Sequence, residues 1–241
     1  GGLPAGPARL RVGSREVPLT SQSPDGSRLV WIGVDLEQRP GTLEVALEGS
    51  TPAGRAVRAR TALVVVDAAY PVQRLSVPRS FTDLDAPTLE RIAREKAALD
   101  RLWEVATPTR LWRRPFRAPL EEPARGTGFG LKRIINGDPR APHTGVDFAV
   151  PAGTPVVASN AGLVALAEEH FFGGRSVILD HGEGMYTMYF HLQESLVRPG
   201  QHVTQGEPIG RVGSTGRATG PPLHWGVRLY AGAVAGSDPM A

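Results

Sequence analysis

The chain has 241 residues, which suits one large domain or two modest ones with a buried core. It contains no cysteine, which excludes disulfides and thiolate metal sites, so imidazole and carboxylate groups are the strong metal ligands that remain. Lysine and arginine exceed aspartate and glutamate by only 27 to 24, and no basic block contains interleaved aromatic residues, so a nucleic-acid partner is not favoured.

The first residues begin without methionine and contain no apolar core of an export signal. A chain that has lost its signal and a trimmed chain would both begin in this way. No run of about 18 apolar residues occurs in the sequence, so we expect no membrane span.

Residues 1–80 are predicted to form a small antiparallel β domain with a sandwich-like arrangement. Short apolar runs at 29–34, 43–47 and 62–66 are separated by turn signals such as PDG at 24–26 and RPG at 39–41. Such runs between glycine- and proline-containing turns are typical of antiparallel strands. This region contains no histidine, and nothing in it indicates chemistry.

Residues 81–110 are predicted to be a helical connector. Four apolar side chains recur at helical spacing: Leu89, Ile92, Leu99 and Trp103. Asp85 can cap the N-terminus, and Pro87 suits the first turn. We interpret the apolar face as a packing surface between domains rather than as a site for a partner. Four prolines between residues 108 and 123 then predict an irregular linker.

Residues 111–241 are predicted to form an antiparallel β-sheet with a barrel-like shape. Six short apolar runs are bounded by glycine-rich turns, at 155–158, 163–167, 176–179, 185–190, 209–212 and 223–229. The region also holds all six histidines of the chain: His143, His170, His181, His191, His202 and His224. Any histidine chemistry therefore belongs to this region.

Two histidines and one aspartate form a candidate metal site. His143 and Asp147 are the ends of the stretch HTGVD, and His224 lies in the stretch LHW. The spacing of four suits a helix or a strand, but the glycine and valine between the two residues favour the extended form. Three protein ligands leave a fourth position for water, as in catalytic zinc sites, whereas structural zinc sites usually have four ligands. The trio therefore predicts bound Zn²⁺ and hydrolytic chemistry.

Strand alternation predicts which side chains lie beside this trio. Thr187, Tyr189 and His191 are predicted to share one face of their strand. In the last strand, Pro222 is predicted to point into the same cleft as His224.

Six segments of the third region together resemble the lysostaphin/LytM-type zinc peptidases, which cut peptidoglycan peptides. They are GFG at 128–130, HTGVDF at 143–148, PAGTPV at 151–156, DHG at 180–182, YFHL at 189–192 and GPPLHW at 220–225. The resemblance implies a LytM-type peptidase domain in which His143, Asp147 and His224 bind zinc. It also implies that His191 assists proton transfer or stabilises the oxyanion. Pro222 stands where the family has a second cleft histidine.

Proline has no titratable group and no hydrogen-bond donor, so Pro222 cannot replace an imidazole. Loss of a general acid or base typically lowers a rate by about 10²- to 10⁴-fold, while the Lewis acidity of a metal remains. We expect a zinc-dependent endopeptidase of stem peptides or cross-bridges whose activity is reduced. The alternative is a non-catalytic protein that binds peptidoglycan or regulates a wall hydrolase. A zinc-dependent lectin-like domain has only fold analogy behind it.

A peptide groove is expected between the FFGG loop at 171–174 and the loop at 213–221. His181 and His202 are interpreted as structural or solvated, and His170 as part of a surface loop, with a position at the border of the groove as its alternative. Arg133 and Asn136 precede the first ligand and could hold its loop.

The resemblance also implies a location and partners. The location is extracytoplasmic, in the periplasm or cell envelope, with an export signal removed. Peptidoglycan peptides are the expected partners, and other cell-wall hydrolases, divisome proteins or envelope proteins are further candidates.

Overall fold

The computed structural model describes residues 8–17, 19, 30–51, 53–79, 83–105, 107–121, 125–218 and 222–229, the last range without the side chain of Pro222. Strands predominate and one helix is present in these ranges, which confirms the prediction of a mainly β fold with a connecting helix. Within the same ranges, no helix combines the length and apolar character that crossing a bilayer requires.

The N-terminal strands form one four-stranded antiparallel sheet in the order β2-β1-β3-β4. The strands are β1 (Arg9–Val12), β2 (Arg15–Val17), β3 (Gly41–Ser50) and β4 (Ala56–Val65). The run at 43–47 falls in β3, and residues 62–65 of the run at 62–66 fall in β4. Residues 30–35 are not in a strand, so the run at 29–34 is wrong as a strand prediction, and Leu29 lies outside the described residues.

A second, three-stranded sheet contains β5 (Val72–Leu75), β6 (Lys132–Ile135) and β7 (Asp138–Pro139). β5 pairs with β6 in parallel, so the pairing joins the N-terminal region to the stretch that precedes His143. Parallel pairing requires a long crossover, and here the crossover includes the helix. The prediction of purely antiparallel strands in residues 1–80 is therefore wrong for β5.

The helix α1 (Ala86–Trp103) begins as predicted. The Asp85 side chain accepts a hydrogen bond from the Thr88 N–H at 2.9 Å, and a proline lies in the first turn. Leu99 and Trp103 are buried, but Leu89 is 53% exposed, so only the C-terminal half of the predicted apolar stripe packs.

The described residues of the predicted linker, 107–121, have no regular structure but pack against the C-terminal sheet. Trp112 and Leu120 are buried. The Leu111 N–H donates to the His181 carbonyl at 2.9 Å, and Arg110 forms a salt bridge with Glu183. The segment is therefore irregular, as predicted, but its backbone and side chains are held by the sheet.

The C-terminal region forms one eight-stranded antiparallel sheet, and each of the six predicted strands is present. Its strands are β8 (Val146–Ala149), β9 (Pro155–Val157), β10 (Gly162–His170), β11 (Gly174–Asp180), β12 (Met185–Ser195), β13 (His202–Val203), β14 (Pro208–Val212) and β15 (Pro222–Leu229). Glycine-rich turns separate short apolar strands, which is the pattern that predicted the sheet.

The sheet divides along β12. Residues 185–190 pair with β15, and residues 192–195 pair with β14. His191 lies at this division with a left-handed φ of 63°. Two residues lie between Tyr189 and Leu192 in β12, but only one residue lies between their partners, Val177 and Arg175, in β11. This extra residue in β12 is a β-bulge.

The bulge overturns one prediction. Tyr189 and Leu192 both belong to the same buried core, so the alternation shifts by one residue between them. His191 therefore does not share a face with Thr187 and Tyr189, because Leu192 occupies that face instead. Bulges near functional sites commonly redirect a side chain in this way.

Two buried clusters pack on the C-terminal sheet. The larger one contains Tyr189, Leu192 and Leu223, and the smaller one contains Trp103 of α1 with Met188 and Phe190. The second cluster anchors α1 to the sheet, because Trp103 meets Tyr186 edge to face at 5.3 Å. The helix thus packs on the C-terminal sheet, and its packing between two domains stays a prediction.

Candidate metal centre

The structure brings the three predicted ligands together at the paired ends of β8 and β15. Asp147 is opposite His224 in this ladder, and His143 comes just before β8. His143 Nε2 is 2.9 Å from His224 Nδ1 and 3.2 Å from Asp147 Oδ1, and His224 Nδ1 is 3.0 Å from the same oxygen. Three ligand atoms from three chain positions therefore surround one point.

The donor set and its spacing fit a zinc ion. Nitrogen and oxygen ligands at 2.0–2.1 Å in a tetrahedron lie roughly 3.3 Å from one another. The three observed separations are 2.9, 3.0 and 3.2 Å. A neutral imidazole has one N–H and one lone pair, so each facing nitrogen can offer its lone pair to a cation when the proton lies on the other ring nitrogen. A cation at this centre would be bound by all three.

Burial and hydrogen bonding set the charges of these groups. Burial alone would raise the pKa of Asp147, but hydrogen bonds from His143 and His224 outweigh it, so the pKa lies well below its usual value. Burial lowers the pKa of His224, against the opposing effect of Asp147. A carboxylate and a neutral imidazole are the protonation states that metal binding requires.

Close packing fixes the orientation of the His224 ring. Phe190 stacks on it with ring centroids 5.4 Å apart and an interplanar angle of 7°. On the other side, a Cβ atom at Gly145 would lie 2.5 Å from His224 Nε2 and from the Trp225 carbonyl. Glycine at 145 therefore allows β8 to approach β15 closely enough for the ligands to meet.

His191 reaches the site from the division of the sheet. Its Nδ1 is 2.9 Å from the Thr215 carbonyl oxygen, which can only accept, so Nδ1 carries the proton and Nε2 has the lone pair. Its ring centroid is 6.4 Å from that of His224. Burial lowers its pKa, so the neutral form persists below the ordinary value for histidine. The arrangement presents a base next to the ligand trio.

The two loops predicted to flank a groove are in contact beside His191. The Arg217 N–H donates to the Phe172 carbonyl at 2.9 Å, and Gly174 abuts Thr215. The His191 N–H donates to the Gly173 carbonyl at 2.7 Å, so both loops hold this residue. Residues 219–221 and the side chain of Pro222 lie outside the described part of the chain.

The sequence also predicted the surroundings of His170, His181 and His202. His181 is buried; its Nδ1 donates to the Ala161 carbonyl at 2.7 Å, and Nε2 accepts from the Thr187 hydroxyl at 2.7 Å, which confirms a structural role. His202 is exposed in β13. His170 is 3% exposed and lines a cavity of about 400 Å³, so its interpretation as a surface-loop residue is wrong. It terminates a longer strand than the apolar run indicated.

Asn136 holds the stretch before His143, as considered from the sequence. Its side chain accepts from the Val77 N–H at 2.9 Å and donates to the Val77 carbonyl at 3.0 Å. Thr215 and Phe190 also take part in the site, and neither was predicted from the sequence. Thr215 acts through its backbone carbonyl, which no side-chain motif signals, whereas the position of Phe190 next to His191 gave a usable hint.

The region that contains the predicted ligands is similar to a known family of peptidases. Residues 141–236 match the model of Peptidase family M23. The peptidoglycan DD-endopeptidase ShyA of Vibrio cholerae is 48% identical over 85 residues, which are 35% of this chain and 20% of that protein. An uncharacterized metalloprotease of Haemophilus influenzae is 47% identical over 122 residues, 49% of this chain and 26% of that protein. The match thus spans about a quarter or less of these relatives.

A solved structure matches nearly the whole chain. The crystal structure of a putative peptidase M23 from Pseudomonas aeruginosa is 31% identical, and the match covers 94% of this chain and 84% of that chain with a TM-score of 0.69. Both the N-terminal and C-terminal regions take part in this similarity. The chain belongs to peptidase family M23.

Proposed function

We propose that this protein is a zinc-dependent endopeptidase and that His143, Asp147 and His224 are its metal ligands. The convergence of three ligand atoms within 3.2 Å of one another carries this proposal. Three ligands leave an open coordination position, which is the arrangement of catalytic zinc sites. The metalloprotease name of one relative supports a metal-dependent reaction.

Bound zinc supplies Lewis acidity and makes water a stronger acid. Asp147 contributes negative charge to the centre, and the buried His224 contributes a neutral nitrogen. His191 accepts a proton from the attacking water at Nε2, because its Nδ1 proton is committed to the Thr215 carbonyl. After accepting it, the same nitrogen can donate the proton to the amine that leaves.

Peptidoglycan stem peptides or cross-bridges are the proposed substrate. The Vibrio cholerae relative is named a peptidoglycan DD-endopeptidase, which supports this class of substrate. An extracytoplasmic location is proposed because that substrate lies outside the cytoplasm. Peptidoglycan is the proposed partner, and wall hydrolases or divisome and envelope proteins are further candidates.

The proposed division of the chain into domains is an N-terminal β domain at 1–80, a connector at 81–110 and a peptidase domain at 111–241.

Pro222 supports the finer proposal that the activity is reduced. Its backbone begins β15 opposite Ala149, two residues before the ligand His224. A proline there supplies neither a proton donor nor a base. The same residue favours a second candidate function, a non-catalytic protein that binds peptidoglycan or regulates a wall hydrolase.

Digestion of purified peptidoglycan tests the proposal. Zinc-loaded protein is expected to lower the turbidity of a murein suspension and to convert a purified cross-linked muropeptide into two products that mass spectrometry identifies. The matched control is the Asp147→Ala chain under the same conditions. If zinc-loaded protein leaves both substrates intact while it still sediments with murein, the endopeptidase proposal fails and the binding function is favoured.

A further inference from the structure

A segment of the N-terminal region packs against the stretch that leads to the ligand His143. β5 pairs in parallel with β6. The Lys132 N–H donates to the Pro71 carbonyl at 2.9 Å, and the Asn136 N–H donates to the Leu75 carbonyl at 2.9 Å. β6 and the residue that follows it are therefore fixed by residues some 60 positions earlier.

Tyr70, just before β5, covers the turn at residues 128–130. Its ring lies against Gly130, where the addition of a Cβ atom would produce overlap with the ring. It also meets Phe129 edge to face, with ring centroids 5.9 Å apart. Gly130 has a φ of 75°, so both its backbone conformation and the space under Tyr70 require glycine.

The turn that Tyr70 covers and the residue after it contact His143 through two backbone hydrogen bonds and one close approach to the ring. The Gly130 N–H donates to the His143 carbonyl at 2.8 Å, and the His143 N–H donates to the Leu131 carbonyl at 3.0 Å. A Cβ atom on Gly128 would lie 2.9 Å from His143 Nδ1, the ring nitrogen that faces away from the other two ligands. A shift of this turn would therefore move the imidazole.

The backbone before Tyr70 is held in an uncommon conformation. Ala69 has a φ of 51°, which few residues other than glycine adopt. The Asp67 side chain accepts a hydrogen bond from the Ala69 N–H at 2.8 Å. This turn directs the tyrosine toward Gly130. A conformation that costs free energy persists only when surrounding contacts maintain it.

We infer that Tyr70 is a positioning residue for the metal ligand His143, acting through the turn at 128–130. This inference rests on the proposed function, since it assumes that His143 binds the metal. The N-terminal region then contributes directly to the geometry of the metal site. Its contribution is to limit the position of one imidazole before the metal binds.

The test compares three variants of the full chain. Tyr70→Ala removes the ring, Tyr70→Phe keeps it, and Val66→Ala truncates a nearby side chain that is 74% exposed. The readouts are the zinc dissociation constant, from competition with a chromophoric chelator, the visible spectrum of the Co²⁺-substituted protein, and kcat and KM taken separately. Thermal unfolding of the metal-free proteins establishes whether each variant folds. If Tyr70→Ala does not fold, Tyr70→Leu takes its place in the comparison.

Tyr70→Ala is expected to weaken zinc binding by about tenfold to a hundredfold, the range that outer contacts of metal ligands typically control. It should also change the Co²⁺ spectrum and lower kcat more than it raises KM, whereas Tyr70→Phe and Val66→Ala keep wild-type values. Wild-type affinity and spectrum in folded Tyr70→Ala would overturn this inference alone. An absence of zinc binding in the wild-type chain would overturn the proposed function as well.

Discussion

Replacing His191 with asparagine removes the proposed base while keeping its surroundings. Asparagine tolerates a left-handed backbone such as the φ of 63° at this position, and its side-chain amide can donate to the Thr215 carbonyl as Nδ1 does. It has no lone-pair nitrogen that could accept a proton. The change therefore isolates proton transfer from folding and from backbone strain.

The expected effect is on kcat. Loss of a general base lowers the rate by about 10²- to 10⁴-fold, which corresponds to roughly 3–5 kcal/mol in the activation free energy. KM and the zinc content should stay unchanged, because the ring of His191 is 6.4 Å from that of His224 and is not one of the three converging ligands.

The pH dependence gives a second readout. The base acts when neutral, so activity falls as the pH falls through its pKa. Burial lowers the pKa of His191, which puts this decline below pH 6.5 for the wild-type chain. In His191→Asn the remaining rate should lose this component of the profile.

The assay is the cleavage rate of a cross-linked muropeptide followed by liquid chromatography. His202→Asn is the matched control, since it changes an exposed histidine of the same region. If the wild-type rate is too low to measure, the comparison is made in chains that also carry Pro222→His. A rate for His191→Asn within about threefold of its parent, at equal zinc content, would refute the role of His191 as the base.

Three further changes are expected to have effects of different kinds. Pro222→His should raise kcat/KM for the muropeptide by about 10²- to 10⁴-fold; equal rates in both chains would contradict a deficit at this position. Trp103→Ala should lower the free energy of unfolding by about 3–5 kcal/mol, whereas the exposed Leu89→Ala should change it by less than about 0.5 kcal/mol, measured by urea denaturation. Burial lowers the pKa of His181, so as the pH falls this histidine is protonated at a higher pH in the unfolded chain than in the folded chain. The contribution of neutral His181 to the free energy of unfolding is therefore present above about pH 6.5 and is lost as the pH falls. His181→Gln should therefore flatten the decline of the unfolding free energy between about pH 6.5 and 5, and an unchanged slope would refute this effect.

The predictions from the sequence succeeded where short-range patterns determine the structure. Six of the eight strands of the C-terminal sheet contain a short apolar run between turns, and the helix begins at a capping aspartate. The residue types and family context of His143, Asp147 and His224 predicted a common site without any knowledge of the path of the chain. The structure brings the three side chains together.

The predictions failed where pairing between distant segments decides the outcome. Simple alternation assumes a regular ladder, but β12 changes partner from β15 to β14 and contains a bulge at His191. No local pattern marks that residue as the point of division. The parallel pairing of β5 with β6 depends on a crossover of more than 50 residues, which periodicity within a short window cannot detect.

The metal content of the purified chain tests the central claim most directly. After loading with zinc and gel filtration, the wild-type chain is expected to retain about one zinc ion per chain, as three converging protein ligands imply. Asp147→Ala should retain almost none under the same conditions, because the oxygen shared by both imidazoles is removed. Zinc retention that is equal in the two chains, or absent from the wild-type chain, would contradict the assignment of His143, Asp147 and His224 as the metal site.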